Sequence, residues 1–103
     1  IDDSYSTNQQ GFVAAVEYLK SQPGRKYIVT PGILELGQET EKVHRQLAQK
    51  LAGLDGIWVT SSWAKPFLKG QDIKTLATTL QAGDIVLIEG RIPSDLKQNI
   101  LNL

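Results

Sequence analysis

The sequence predicts an α/β domain, a small three-layer arrangement of helices around a mostly parallel sheet. Short β-branched apolar runs alternate with segments whose apolar residues fall at helical spacing. The strand-like runs end in hydroxyl or turn-forming residues, and no internal repeat, low-complexity tract or flexible linker breaks the alternation. That succession is the pattern of βαβ units, which build parallel sheets. A chain of 103 residues holds one domain with a core of adequate but modest size.

Ile1-Asp2-Asp3 reads as the end of a strand running into a polar turn, Ser4-Tyr5-Ser6-Thr7. Asn8 is placed to cap a helix in which Phe12, Val16 and Leu19 share a face, and Ser21-Gln22-Pro23-Gly24 stops it. Lys26-Tyr27-Ile28-Val29-Thr30 is a buried strand ending at Pro31-Gly32. Val43, Leu47 and Leu51 mark a second helix that exposes Glu41, Arg45, Gln49 and Lys50 and closes at Gly53. A third strand, Gly56 to Thr60, ends in Ser61-Ser62. Trp63 to Leu68 reads as a short irregular or helical piece interrupted by Pro66. Asp72 through Leu80 reads as one helix with Ile73, Leu76 and Leu80 on a common face. Asp84 to Ile88 is the fourth strand, and the tail from Pro93 forms a closing helix.

Composition narrows the function. Hydrophobic residues make up 41% and charged residues 21%, ordinary values for a globular protein. Eleven basic and eleven acidic residues cancel, so there is no electrostatic footprint for nucleic acid or an anionic membrane. Cysteine is absent, which removes disulfides, thiolate metal sites and cysteine nucleophiles together. One histidine, His44, cannot build a histidine-rich metal site. No apolar run has membrane-spanning length and nothing resembles a signal peptide, so the expected setting is the cytoplasm. Methionine is absent even at position 1, and the expectation is an excised or processed fragment of a longer chain.

In a parallel α/β fold the loops after each strand gather at the carboxyl edge of the sheet, where ligands sit. That edge would receive Asp2, Asp3, Ser4, Tyr5 and Asn8, then Thr30 to Gly37 with Glu35, then Thr60, Ser61, Ser62 and Lys65, and last Glu89, Gly90 and Arg91. Carboxylates, hydroxyls, an amide and cations suit a polyhydroxyl or zwitterionic ligand. For any single Ser or Thr in the set, capping a turn is the stronger reading. Alternation along an extended segment turns Asp2 and Asp3 to opposite sides, so one carboxylate faces the crevice. Asp3 can accept hydrogen bonds from vicinal hydroxyls such as those of a ribose; capping the turn is an equal alternative. A lone histidine beside Val43 on a buried helix face is better read as packed and hydrogen-bonded than as catalytic. Trp58 and Trp63 likewise read as core or rim packing.

The chain contains no G-x-x-x-x-G-K-[ST], no G-x-G-x-x-G after a strand and no G-x-S-x-G elbow. Alone it lacks the parts of a complete enzyme.

Asp2-Asp3-Ser4-Tyr5-Ser6-Thr7-Asn8 resembles the D-D-S-Y-N-A-N motif that opens the carboxyl-terminal domain of the Mur ligases. Thr30-Pro31-Gly32-Ile33-Leu34-Glu35-Leu36-Gly37 is similar to that family's G-D-M-x-E-L-G loop, with His44 where the family's histidine falls. Thr60 to Leu68 resembles its stretch with Lys-Pro before an aromatic, and Gly83 to Glu89 with the later Pro93 resembles the ending of one branch. Departures are Gln9 where the family has proline after the asparagine, the loss of the G-D-M aspartate in Pro31-Gly32-Ile33, Glu89-Gly90-Arg91 in place of Lys-Gly-Ser-Arg, and a shortened stretch between Leu68 and Gly83.

The resemblance implies a Rossmann-like carboxyl-terminal domain of a three-domain ligase. It also implies the family reaction, in which ATP with Mg2+ activates a carboxylate of a UDP-muramoyl peptide and an amino acid or D-alanyl-D-alanine attacks as the amine. Asp3, Ser4, Tyr5 and Asn8 would contact the nucleotide, and Thr7, Glu35, His44 and Lys65 the substrate side. The triphosphate loop would lie in a central domain, and closure over the site would exclude water from a hydrolysable acyl phosphate. The isolated domain is expected to fold and not to catalyse. The rival reading is a free-standing α/β binding module.

Overall fold

A computed structural model describes residues 1–3, 8–34 and 36–101. Ser4, Tyr5, Ser6, Thr7, Glu35, Asn102 and Leu103 lie outside the described residues. Strands β1 (Asp2–Asp3), β2 (Lys26–Thr30), β3 (Gly56–Val59) and β4 (Ile85–Glu89) form one sheet in the order β1-β4-β2-β3. Every pairing in it is parallel. Helices α1 (Gln9–Lys20) and α2 (Thr40–Leu51) follow β1 and β2. A four-residue helix α3 (Lys65–Leu68) follows β3, α4 (Leu76–Thr79) precedes β4, and α5 (Ser94–Leu101) closes the chain.

The two-residue period of the strands sorts their side chains into two cores. Ile28, Leu87 and Val59 point to one face and pack with Phe12, Val16 and Leu19 of α1 and Val43, Leu47 and Leu51 of α2. Tyr27, Val29, Trp58 and Ile88 point to the other, against Leu76 and Ile100. The Tyr27 and Trp58 rings stack at 5.1 Å, and the Trp58 indole N–H donates to the Thr75 hydroxyl at 2.9 Å. Trp58 is thus a core residue with its one polar atom satisfied.

Two segments differ from the sequence expectation. Pro66 stands in the first turn of α3 and starts that helix, because its missing N–H falls where no intrahelical bond is made. Lys69 then ends it in the left-handed conformation, φ 56°. The continuous helix expected over 72–80 is instead a 3-10 turn, Ile73–Thr75, followed by one turn of α-helix. Threonine chemistry accounts for this. The Thr75 hydroxyl donates to the Asp72 carbonyl, and those of Thr78 and Thr79 both donate to the Thr75 carbonyl. Such back-bonding offers local partners that compete with a regular ladder.

Candidate functional site at the carboxyl edge of the sheet

Because all strands run one way, their last residues align across a single edge. Asp3 pairs with Glu89, and Thr30, one position beyond the Val29–Ile88 pair, pairs with Val59. Thr30 and Glu89 are buried there. The first loop enters from β1 and leaves into α1 at Asn8, whose backbone is extended and whose Oδ1 accepts from the Gly11 N–H at 2.7 Å. That bond satisfies one of the orphan donors of the helix start. The other sequence-selected residues of this loop, Ser4, Tyr5 and Thr7, lie outside the described residues, and Asp3 is described through its backbone. Asp2, its neighbour, turns to α5 and pairs with the Lys97 ammonium at 2.9 Å.

The second loop is tied down from several sides. The Gly32 N–H donates to the Thr30 hydroxyl at 3.1 Å, and the Ser61 hydroxyl donates to the Pro31 carbonyl at 2.6 Å. His44 of α2 reaches back into the loop, and its Nε2 accepts from the Ile33 N–H at 3.0 Å. Its Nδ1 stands 2.7 Å from the Thr40 carbonyl, one helical turn earlier. A carbonyl only accepts and a backbone N–H only donates, so these two partners assign the Nδ1–H tautomer. The ring is fully buried, with Trp63 edge-on at 5.0 Å. Gly32, at φ +87°, makes the approach possible: a Cβ there would stand 2.8 Å from His44 Nε2 and 3.0 Å from Ala64 Cβ.

Lys65 opens α3 at the same edge, and its charge contributes to holding the Asp72 carboxyl below the usual carboxylate range. The larger cause of that lowering is the Lys74 backbone N–H that Asp72 accepts. Leu34 is exposed, and Trp63 is 37% exposed. The structure thus brings Asn8, His44, Lys65 and the Asp3 backbone to one edge, and engages both ring nitrogens of His44 with backbone. Sequence reading did not identify Gly32, Ser61 and Trp63 as parts of one assembly. The signal available for it was a polar residue, His44, inside the apolar row Val43, Leu47, Leu51.

A cleft of about 360 Å³ lies at the opposite end of β4, lined by Ile1, Gln81, Asp84, Val86 and Ile100 among others. It contains none of the sequence-selected residues. Among the described residues no group of three or more His, Asp or Glu side chains could hold a metal ion. None of the described helices is long and apolar enough to cross a membrane.

No protein-family model matches the chain. It is 41% identical over 59 residues to the UDP-N-acetylmuramoyl-tripeptide–D-alanyl-D-alanine ligase of Escherichia coli K12, an alignment covering 55% of this chain and 13% of that protein. The ligase of the same name from Buchnera aphidicola is 34% identical over 47 residues, covering 46% of this chain and 10% of the relative. The fold matches the crystal structure of the MurF ligase from Thermotoga maritima in complex with ADP, with a TM-score of 0.75 and 26% identity. That match covers 95% of this chain and 26% of the larger one. The chain thus corresponds to a small part of each protein it resembles. Local identity and fold agree in likening the chain to one part of a Mur ligase.

Proposed function

We propose that the chain is the carboxyl-terminal domain of an ATP-dependent, Mur-type amide ligase of peptidoglycan-precursor synthesis, working in the cytoplasm. Its partners in that reading are the amino-terminal and central domains of the same protein, a UDP-muramoyl peptide, and an amino acid or D-alanyl-D-alanine. The observation that carries the reading is the match of nearly the whole fold to a MurF ligase holding ADP, with the D-D-S-Y motif running from β1 into the capped start of α1.

In the reaction, ATP phosphorylates the peptide carboxylate, the amine attacks the acyl phosphate, and an amide, ADP and phosphate result. The residues of this chain supply binding and closure. Asp3 accepts hydrogen bonds from the ribose hydroxyls. Ser4, Tyr5 and Asn8 line the same nucleotide edge, with Asn8 fixing where α1 begins. Thr7, Glu35, His44 and Lys65 serve the amine side. Triphosphate and Mg2+ are held by the central domain, in keeping with the lack of a G-x-x-x-x-G-K-[ST] loop in this sequence. Closure of this domain keeps water from the acyl phosphate. The domain alone folds and does not turn over substrate.

The first test is the mass of the cellular protein that contains this segment, with peptide mapping of whatever precedes Ile1. A larger chain with a G-K-[ST] phosphate loop upstream supports the ligase reading. A mature product of 103 residues overturns it and leaves a stand-alone binding module. In the larger protein, Asp3→Ala should raise the KM for ATP by about 10–100-fold, the equivalent of a hydrogen bond to a charged group. An unchanged KM for ATP would remove Asp3 from the nucleotide site.

A further inference from the structure

The loop that carries Glu35 is held by an acceptor on another element. Of the backbone donors at its start, the Gly32 N–H is satisfied within the loop by Thr30, while the Ile33 N–H is satisfied by His44 Nε2 on α2. Ile33 is 5% exposed, so this is a buried donor whose loss of partner has a real cost. The ring that satisfies it cannot swivel. Nδ1 is bonded to the Thr40 carbonyl, Trp63 closes one side, and Gly32 admits the ring on the other only because it has no side chain. On its far side the loop meets β3 through Ser61. Near the end of β4, a Cβ on Gly90 would stand 3.2 Å from Pro31 Cδ, which marks how closely the two strand ends approach.

We infer that His44 is a positioning residue for the amine substrate: its Nδ1–H tautomer fixes the Ile33 amide, and with it the Pro31-Gly32-Ile33 turn, without touching substrate. The inference rests on the ligase reading and refines it, because both ring nitrogens already have backbone partners. A group that aligns a binding loop acts on the affinity and orientation of what that loop holds, and leaves the nucleotide at the first loop undisturbed. The two loops enter the edge from different strands, β1 and β2.

Two substitutions separate this role from packing. In glutamine the amide oxygen reaches about where Nε2 stands and keeps an acceptor for the Ile33 N–H. In asparagine the amide nitrogen stands in for Nδ1 and leaves that N–H without a partner. Both remove the imidazole ring and its edge-on contact with Trp63, so both lower the melting temperature. In the full-length protein, kinetics taken below both melting temperatures should show the KM for the amine raised about tenfold by His44→Asn and largely restored by His44→Gln. The KM for ATP should stay within about twofold of the unsubstituted protein in both. Imidazole 15N shifts of the unsubstituted protein should show a protonated Nδ1 and a bare Nε2. Equal amine KM values for the two variants, or an Asn effect that falls on ATP, would overturn the positioning role alone. Absence of amide formation by the unsubstituted protein with ATP, UDP-muramoyl tripeptide and D-alanyl-D-alanine would overturn the ligase reading and this role with it.

Discussion

At the amino end of the sheet charged side chains clamp the strands, whereas at the carboxyl end the loops are held by a buried imidazole, a hydroxyl and glycines that let backbones approach. The Arg25 guanidinium, before β2, makes a two-pronged contact with Asp84, before β4, at 2.9 and 2.8 Å. Asp84 also accepts from the Gln81 N–H, and Asp55 accepts from the Lys26 N–H across the β2–β3 gap. The Arg25 side chain is 46% exposed and that of Asp84 6% exposed, so salt screens the pair only in part. At the other end, by contrast, Thr30, Gly32, Ile33 and His44 are all buried, and their hydrogen bonds admit one geometry. The difference teaches where the fold keeps order for use: one end joins strands, the other presents loops.

The largest expected effect comes from Gly32→Ala. A left-handed alanine costs about 1–2 kcal/mol, and forcing His44 and Ala64 aside adds about 1–3 kcal/mol, so urea unfolding should show a loss of roughly 2–5 kcal/mol. A loss under about 0.5 kcal/mol would mean the carboxyl-end brace is loose. Asn8→Ala should cost about 1 kcal/mol by removing the α1 cap, read as a lower urea midpoint and faster amide exchange in the first turn of α1. Ser61→Ala should cost about 0.5–1.5 kcal/mol, and should speed exchange at Ile33 while leaving the amides at the start of β2 unchanged. Equal acceleration at both places would erase the contrast between the ends.

The smallest change belongs to Arg25→Gln at the amino end, and its signature is its pH dependence. The Arg25 hydrogen bond holds the Asp84 carboxyl below the usual carboxylate range, with the Gln81 N–H adding to the lowering against a desolvation penalty. A carboxyl depressed in the folded state contributes stability above its unfolded pKa, and loses it as pH falls through the lower folded value. The stability gap between the unsubstituted chain and Arg25→Gln should therefore be present at pH 7 and close below the ordinary carboxylate range. A gap that widens in acid would contradict the assignment.

Much of this contrast is legible in the sequence, and unevenly so. Strand β2 follows from Lys26 to Thr30 because a short β-branched run between Gly24 and Pro31 leaves few alternatives. The start of α1 follows from Asn8, since a capping side chain announces itself locally. The 72–80 segment does not follow, because the spacing of Ile73, Leu76 and Leu80 fits a helix while the hydroxyls of three threonines bond back to the chain. The Ile33–His44 contact is hidden for another reason. It joins residues eleven apart across a loop whose path no periodicity encodes, and only the fold brings them together. The D-D-S-Y motif names Asp3 as a candidate, whereas the pairing of its neighbour Asp2 with Lys97 of α5 joins distant parts of the chain and is visible only in the fold.

If the carboxyl edge binds nucleotide as proposed while the amino edge only joins strands, the two ends separate in kcat/KM for ATP in amide formation by the full-length protein, compared between Asp3→Ala and Arg25→Gln. A fall of about 10–100-fold is expected for Asp3→Ala, and a value within about twofold of the unsubstituted protein for Arg25→Gln, whose pair with Asp84 stands at the opposite end of the strands. Equal losses in the two variants, or a loss confined to Arg25→Gln, would contradict that separation.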